Sequence, residues 1–478
     1  MYFVFARKYI TAVSLLCCVV IFFSQPAMAG WLDPFWTNNT TAPSPAGNLS
    51  KDKHIQGTVP HDTPLSLSEV VEYALYNNPQ TRSAWMSARA QAAQVGVSYA
   101  SYLPSISLST TDTWSEQRVN GAASGSNTNQ QGATASLNYL LFDFGVRESN
   151  VENSKQVLVA ANATHNATVQ KVFLSAVQAY FQYLAAQETV RAAKEAEKAA
   201  SESFNAASAR YSIGASTPAD KLQAQTAYSQ ATLTRIQAEG NANIARGVLA
   251  NVMGLSPDYV FVLAPFEVVQ PDGKFEQEID KLMLEARKQR PDLLAATAQL
   301  NATRAGLSAL NSSRLPSLSL FGSYGYSNNA NTNIYTNTFS YGLSLSFPLF
   351  TGFASTYRVA AAEAQLDSQS AQQQLVEQQV ALDVWKGYQS LVTNTEAVKT
   401  SFDLLSSASR SEDMARGRYQ AGAGSIIDLL TAQTALASAR QQNIQAIYNW
   451  YIARVTLAQA IGRLDFSTID FSSKNDLK

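Results

Sequence analysis

The sequence has little cysteine and little charge, and after its first apolar run it has no long apolar segment. Its only cysteines, Cys17 and Cys18, lie within that run, from Ile10 to Phe23. Charged residues are 15% of the chain, against about 25% in an average soluble domain. No later stretch approaches the roughly 18 consecutive apolar residues that a membrane helix needs. Disulfide-rich scaffolds and multi-span helical membrane proteins are therefore excluded.

The amino terminus has the order of a secretory signal peptide. Two basic residues precede the apolar run, and small residues ending at Ala29 follow it. We predict a signal peptide over residues 1–29, cleaved between Ala29 and Gly30, which leaves no cysteine in the mature chain. A membrane anchor is the alternative, but the run is short for a span. A lipoprotein anchor at Cys17 is disfavoured because Leu16 stands where a small residue is expected.

Signals for nucleic-acid binding and for catalysis are missing. The chain has 35 basic and 36 acidic residues, which is not the basic surplus of a nucleic-acid-binding protein. Its three histidines, His54, His61 and His165, do not have metal-ligand spacing. The sequence contains neither a phosphate-binding loop nor a nucleophile elbow. We therefore expect no cofactor, no nucleic-acid partner and no enzymatic activity, and an enzyme with a hidden site is the least favoured class.

One phrase of the sequence occurs twice. Residues from Ala209 read ARYSIGASTPADKLQAQTA, and residues from Gly417 read GRYQAGAGSIIDLLTAQTA. A shift of 208 positions aligns 210–254 with 418–462 without a gap, and 21 of the 45 pairs are identical. Further upstream, Leu103-Pro104-Ser105 recurs at Leu315-Pro316-Ser317, a shift of 212. An internal duplication explains both matches.

The duplication sets the predicted organisation of the chain. The two structural repeats cover residues 65–254 and 278–462, and a linker of residues 255–277 joins them. An amino-terminal extension, 30–64, precedes the first repeat, and a tail, 463–478, follows the second.

Each repeat contains a pair of segments with period-two alternation, which predicts β-strands. In the second repeat, apolar and aromatic residues from Phe339 to Leu349 alternate with serine and glycine. The apolar face would pack on a second sheet in a soluble sandwich, or contact lipid in an outer-membrane barrel. Polar segments at 121–131 and 328–337 are predicted as loops at a solvated rim. Periodicity alone leaves both architectures open.

Very long helices follow the strands. From Val146 to Arg210 there is neither glycine nor proline, and from Phe353 to Arg416 Gly387 is the only helix breaker. At about 1.5 Å per residue, each segment would be roughly 100 Å long. Helices of this length require a bundle or a tube.

The repeated phrase predicts a tight helix-to-helix turn. Gly214 and Gly422 stand where a helix ends on a left-handed residue. A hydroxyl residue and an aspartate three positions later form a predicted capping box in each copy: Thr217 with Asp220, and Ser425 with Asp428. The turn therefore lies at the far end of the rod, once per repeat.

The order of elements resembles the TolC family of outer-membrane exit ducts over residues 65–462. The Arg-Tyr-x-x-Gly turns at Arg210 and Arg418, the two Leu-Pro-Ser strand openings and the two Leu-Phe strand ends carry the resemblance. It implies an α+β membrane protein in which each protomer gives four strands to a trimeric 12-stranded transmembrane β-barrel. It also implies that the long helices form a periplasmic α-helical barrel, with the extension, the linker and the tail packed as a belt around its middle. Four strands in a membrane independently require neighbours, because open edges cannot be satisfied by lipid.

The resemblance also implies location and partners. The chain would lie in the outer membrane of a Gram-negative cell, contacting lipid and extending into the periplasm as a homotrimer. It would pass substrates from an inner-membrane pump, of ABC or RND type, through a periplasmic adaptor, in drug efflux or type I protein secretion. The alternative is a secreted coiled-coil protein with a structural or adhesive role.

The resemblance implies two groups of site residues at the turns. The periplasmic aperture would be formed by Asp220, Asp428 and Tyr419, for which helix capping and ordinary helix packing are the alternatives. The adaptor-docking turns would comprise these residues: Arg210, Gly214, Ala215, Arg418, Gly422 and Ala423. Their alternative role is only to form the turn. The family pattern has arginine at the position of Gly424 and aspartate at that of Thr431, so its salt-bridged lock is not expected here.

Overall fold

The computed structural model describes residues 35, 37, 63–117, 126–268, 279–330, 332 and 334–469. The predicted signal peptide, its cleavage site, most of the extension and the end of the tail lie outside these residues. The first repeat comprises α1 (Leu67–Asn77), α2 (Pro79–Ala100), β1 (Ser105–Gln117), β2 (Ser126–Phe142), α3 (Val146–Ser212) and α4 (Pro218–Val252). The second comprises α5 (Ile279–Gln289), α6 (Pro291–Ser312), β3 (Ser317–Asn329), β4 (Ile334–Ser346), α7 (Ala354–Gln420) and α8 (Ile426–Ile461).

The four strands form one antiparallel sheet in the order β1-β2-β3-β4. One row across the sheet is entirely serine: Ser107, Ser136, Ser323 and Ser340. The adjacent row, one residue along each strand, is mostly apolar: Leu108, Ala135, Tyr324 and Phe339. The predicted alternation is therefore confirmed, and β1 and β4 are the two edges of the sheet.

The apolar face of the sheet is exposed in the protomer. Ile106 is 76% exposed, Phe339 70% and Leu343 64%. Within the described part of the chain no second sheet covers these side chains, so the sandwich interpretation does not fit. An exposed apolar sheet face of this extent is the surface that a barrel presents to lipid.

The predicted bounds of the rim loops were wrong at their strand ends. β2 begins at Ser126, where a loop was expected up to residue 131. β3 continues to Asn329 and β4 begins at Ile334, inside the loop predicted over 328–337. At the rim both faces of the sheet are polar, so the alternation of apolar and polar residues disappears from the sequence. The hydrogen-bonded strand pairing nevertheless continues, and Gln130 pairs with both Thr113 and Asn329. Residues 118–125 of the first loop lie outside the described residues.

The two long helices are present and equal in length. α3 and α7 each have 67 residues, or about 100 Å at roughly 1.5 Å per residue. Within the described ranges, no helix combines the length and apolarity that a membrane crossing requires.

Both return helices end on a left-handed glycine that touches the first helix of its repeat. Gly254 has φ 76° and Gly462 φ 89°. A Cβ at Gly254 would lie 2.8 Å from the carbonyl oxygen of Asn77, and one at Gly462 would lie 3.0 Å from the carbonyl carbon of Gln289. Only glycine satisfies both the backbone angle and the close approach, so these ends fix each return helix at mid-molecule.

The helices pack in a definite side-by-side order. Near the sheet the order is α2, α3, α6, α7, and towards the turns it is α4, α3, α8, α7. The two repeats meet where α3 contacts α6 and α8 and where β2 pairs with β3. One margin of the protomer is therefore α2, α4 and β1, and the other is α7 and β4.

The main apolar core lies halfway along the long helices. Phe181 of α3 stacks on Tyr451 of α8 with ring centroids 5.0 Å apart, and Phe266 of the linker packs on Tyr451 at 5.1 Å. Leu65 and Leu263 form a parallel bridge. The linker thus contacts α8 at this level. A belt formed by the extension, the linker and the tail stays a prediction.

α7 and α8 lie close together at Gly387. A Cβ there would lie 3.2 Å from Cα of Leu457 and 3.3 Å from its Cδ1. We expect Gly387→Leu to lower the free energy of unfolding by about 1 to 3 kcal/mol through overpacking. Gly417→Leu is the matched control, because a Cβ at Gly417 meets no atom within 4 Å. Thermal unfolding followed by circular dichroism tests the pair, and equal melting temperatures would contradict the prediction.

Candidate functional site

The two turns at the far end of the rod have the same backbone geometry. Gly214 has φ 80° and Gly422 φ 78°. The amide of Ala215 donates to the carbonyl of Arg210 at 2.8 Å, and that of Ala423 to the carbonyl of Arg418 at 2.9 Å. These bonds close the helix ends in the manner of a glycine C-cap. The predicted left-handed glycines are confirmed.

Asp220 and Asp428 both form capping boxes. The amide of Asp220 donates to Oγ1 of Thr217 at 3.2 Å, and the amide of Thr217 donates to Oδ2 of Asp220 at 3.0 Å. In the second copy, the amide of Asp428 donates to Oγ of Ser425 at 3.1 Å, and the amide of Ser425 donates to Oδ2 of Asp428 at 3.4 Å. Asp428 is exposed and Asp220 half-buried. The capping bonds use Oδ2 of each aspartate. The second carboxylate oxygen takes no part in the capping box.

Arg210 joins the first turn to the second. Its guanidinium donates to the carbonyl of Tyr419 at 2.7 Å and to that of Gln420 at 3.3 Å. The same guanidinium lies 4.3 Å from the centroid of the Tyr419 ring, a cation–π geometry. Because α7 ends here, the positive charge of Arg210 also interacts favourably with the negative end of the α7 dipole.

Tyr419 belongs to a small apolar cluster between the two helical hairpins. Its partners in that cluster are Ala207, Ala224, Ile426 and Leu429. The residue is 6% exposed, which matches the packing interpretation of this position. An additional role at the aperture stays a prediction.

The residues that correspond to Tyr419 and Arg210 in the opposite repeat are in a different environment. Tyr211, the counterpart of Tyr419, is 41% exposed, and its ring is contacted by the ammonium of Lys221 at 5.4 Å. Arg418, the counterpart of Arg210, is exposed. The Arg-Tyr pair therefore occurs in both turns, but Arg210 and Tyr419 are packed against each other whereas Arg418 and Tyr211 are exposed.

Gly424, where the family pattern has arginine, lies close to the end of α7. A Cβ there would lie 3.1 Å from Cβ of Arg418 and 3.1 Å from the amide nitrogen of Tyr419. A side chain at this position would require the neighbouring atoms to move by a few tenths of an ångström.

The tips of both turns present small exposed residues to solvent. Gly214, Ala215, Gly422 and Ala423 are all exposed, and a Cβ at either glycine would meet no atom within 4 Å. Such tips leave room for the close approach of another helix. Docking of an adaptor there stays a prediction.

Sequence reasoning missed the contact between Arg210 and Tyr419. The signal was the presence of Arg-Tyr in both copies, because a turn alone does not require either side chain.

The described residues include no group of three or more histidine, cysteine, aspartate and glutamate side chains that could hold a metal ion. His165 is buried within α3, and His54 and His61 lie outside the described residues.

Comparison with known proteins covers almost all of the described chain. The sequence profile of a family described as "Outer membrane efflux protein" matches residues 70–255 and 282–463. "Protein CyaE" of Bordetella pertussis is 29% identical over 411 residues, covering 85% of this chain and 86% of the relative. "Outer membrane protein TolC" of Vibrio cholerae is 25% identical over 405 residues, covering 84% and 91%. The two profile matches correspond to the two repeats.

The fold matches solved outer-membrane channels. The crystal structure of the CmeC outer membrane channel of Campylobacter jejuni aligns with a TM-score of 0.75 and 21% identity, covering 88% of this chain and 92% of that one. The open state of the MtrE outer membrane channel of Neisseria gonorrhoeae aligns with a TM-score of 0.69, covering 86% and 96%.

Proposed function

Because this chain belongs to the outer membrane efflux protein family, we propose that three copies form a passive duct from the periplasm to the cell exterior. The chain is an outer-membrane channel of efflux or type I secretion. The observation that carries the proposal is the four-stranded sheet, which has an exposed apolar face and two open edges and continues directly into rods of 67 residues. The secreted coiled-coil alternative does not account for that face.

Closure of the sheet requires several chains. Open strand edges cannot be satisfied by lipid, and about eight strands is the smallest membrane barrel. Three copies of a four-stranded sheet give a barrel of twelve strands, and the long helices then surround a tunnel. A duct of this kind has no catalytic step of its own, so the energy for transport comes from an inner-membrane pump.

A periplasmic adaptor connects the pump to the duct at the turns. The exposed Gly214-Ala215 and Gly422-Ala423 tips, together with Arg210 and Arg418, provide its docking surface. Deleting the gene tests the whole proposal: the cells should lose a secreted protein or become sensitive to dyes, bile salts or antibiotics. A deletion strain that matches wild type in both assays would contradict transport.

The capping aspartates also form the aperture. Three copies of Asp428, brought together by the symmetry of the trimer, give a ring of carboxylates at the narrow end, with Asp220 nearby and Tyr419 packed behind it. A ring of acidic groups favours cations in a pore. Since the capping box uses only part of each carboxylate, both roles are compatible.

We expect Asp428→Asn to reduce cation selectivity and weaken block by multivalent cations. Asparagine retains part of the capping geometry, so helix stability should change by less than about 1 kcal/mol. Single-channel recording in a planar bilayer under a salt gradient measures the change as a smaller reversal potential. Asp258→Asn, in the linker, is the control and should leave it unaltered. An unchanged reversal potential in both Asp428→Asn and Asp220→Asn would leave capping as the only role.

A further inference from the structure

The polar face of the sheet carries an aromatic side chain, Phe321 of β3. We propose that this ring is a binding site for planar, uncharged molecules, or for planar, uncharged parts of larger ones, that pass along the lumen. The inference rests on the proposed duct, because the polar face lines a lumen only when several copies close the barrel. It adds a place on the wall where a solute is held in transit.

The wall around this ring is neutral and rich in hydroxyl groups. Oγ of Ser323 lies 2.7 Å from Oγ of Ser340 on the neighbouring strand, so hydroxyl groups bond to each other across this face. Along the paired parts of the four strands that the structure describes, the face has no ionisable side chain and consists almost entirely of Ser, Thr, Asn, Gln and Gly. Three residues depart from this composition: Leu140, Phe321 and Ile334. Among them only Phe321 offers a flat ring.

The ring of Phe321 lies across a glycine of the next strand. Phe321 pairs with Asn138 on β2 and with Gly342 on β4. A Cβ at Gly342 would lie 2.9 Å from Cζ of Phe321 and 3.2 Å from its Cε1, so the ring covers the space that a side chain would fill. Phe321 is nevertheless 41% exposed. Part of the ring is therefore held against β4 while the rest remains open on the polar face.

Closing the barrel leaves that face open. Strands that are added at the edges of a sheet lie beside the existing strands at about 4.8 Å, in the plane of the sheet. They extend the wall but do not cover the side chains that project from it. The ring of Phe321 therefore stays in contact with the contents of the lumen.

The duplication shows that the sheet does not require an aromatic residue at this place. The shifts of 212 and 208 convert Phe321 and Gly342 into Ser109 and Thr134, and these two residues are paired in the same way between β1 and β2. There the hydroxyl of Ser109 donates to the carbonyl of Thr134 at 3.4 Å. Both members of the pair differ between the repeats, so the second repeat has a large ring together with the glycine that makes room for it.

The chemistry of the ring and its surroundings defines the class of ligand. Planar aromatic molecules stack on aromatic side chains, and such stacking accepts many ligands because it uses the ring face and not a fixed set of hydrogen bonds. The amide of Asn138 and the hydroxyl of Ser323, beside the ring, can bond to polar substituents. A charged group would find no counter-ion on this wall. The favoured ligand is therefore planar and uncharged.

Exchanging the pairs between the repeats tests the site. Caffeine is the probe, because it is a planar, uncharged and water-soluble purine, and sucrose is the uncharged, non-planar control. The purified full chain is incorporated into planar bilayers, each solute is added on the side of the barrel, and the solute-dependent current noise gives an apparent Kd. Phe321→Ser with Gly342→Thr copies the pair of the first repeat and should weaken caffeine binding at least about fivefold. Phe321→Leu, which keeps an apolar side chain but has no ring, should weaken it as well.

The reverse exchange should create a second site in each chain. Ser109→Phe with Thr134→Gly copies the pair of the second repeat into the first, so the caffeine-dependent noise should increase above that of wild type. Phe321→Trp keeps an aromatic face and should retain caffeine binding. These two variants separate stacking on the ring from a general effect of substitutions in the sheet.

The outcomes separate this inference from the duct itself. Equal caffeine binding in wild type and in channels without the ring at position 321 would overturn the site, and the ring would then only cover the glycine of β4, as aromatic side chains do in other sheets. Equal noise from caffeine and sucrose in wild type would overturn the assignment to planar ligands. Wild-type protein that forms no conducting channel would instead contradict the proposed function.

Discussion

Replacing Arg290 with alanine is expected to lower the free energy of unfolding by about 3 kcal/mol. The side chain of Arg290 is 6% exposed. Its guanidinium donates to Asp292 at 2.9 and 2.5 Å, to Asp383 at 3.1 Å and to the carbonyl of Ala460 at 3.3 Å. Removing one partner from a buried ion pair typically costs about 3 to 5 kcal/mol. The lower end applies because both carboxylates are partly exposed, at 39% and 32%.

The position of Arg290 explains why so much depends on it. The residue stands at the corner between α5 and α6, Asp383 is on α7, and Ala460 is at the end of α8. One guanidinium therefore joins four helices at the level of the main core. Its counterpart in the first repeat, Asn78, makes the equivalent contact by donating to the carbonyl of Val252 at 3.1 Å.

The same ion pair predicts a loss of stability in acid. Burial by itself would raise the pKa of Asp292, but the hydrogen bond and the charge of Arg290 outweigh it and hold the pKa below its ordinary value. Since the folded pKa is lower than the unfolded one, the stabilisation is complete above the ordinary value of 3.8 and is lost as the pH falls through the folded pKa. Arg290→Ala should unfold with a weaker dependence on pH in this range.

Denaturant unfolding followed by circular dichroism measures both effects. Arg304→Ala is the control, because Arg304 is exposed and contacts only Asn301 of its own helix, at 3.0 Å. Surface substitutions of this kind change stability by less than about 0.5 kcal/mol. Equal midpoints for the two variants, or an unchanged acid response in Arg290→Ala, would show that the Arg290 cluster does not stabilise the packing of these four helices.

Features that depend on neighbours in sequence were predictable. The left-handed glycines at 214 and 422 and the capping boxes ending at Asp220 and Asp428 involve residues within a few positions of each other. The lengths of α3 and α7 followed from the absence of helix breakers. Local backbone chemistry decides these features, so the composition of a short window is enough to identify them.

Features that depend on the meeting of distant segments were not predictable in the same way. The clasp between Arg210 and Tyr419 joins residues 209 positions apart, and the Arg290 cluster joins segments up to 170 positions apart. No short window contains both partners.

A single arginine on the apolar face of the sheet should prevent assembly of the barrel. Leu343 lies on β4, pairs with Leu320 and is 64% exposed in the protomer. Along the chain it lies about midway between two exposed aromatic residues, Tyr335 near the start of β4 and Phe350 four residues beyond its end. Aromatic residues at both ends of an apolar strand face mark the two membrane interfaces, which places Leu343 near the middle of the lipid.

The neighbouring residue provides the control. Ser344 is next in the strand, so its side chain points to the opposite, polar face, where its partner is Ser319. Ser344→Arg therefore adds the same charge one residue away, with a wet lumen to solvate it.

We expect Leu343→Arg to cost about 2 to 4 kcal/mol, as an arginine near the bilayer midplane does in outer-membrane barrels. Since about 1.4 kcal/mol is a factor of ten in an equilibrium constant, the assembled trimer in outer-membrane fractions should fall by more than tenfold. Ser344→Arg should keep most of the trimer and change only the conductance of the channel. Quantifying trimer in membranes from cells with matched synthesis rates distinguishes the two faces. Equal losses at the two positions would mean that lipid does not contact the apolar face, and the sheet would then have to be covered by protein.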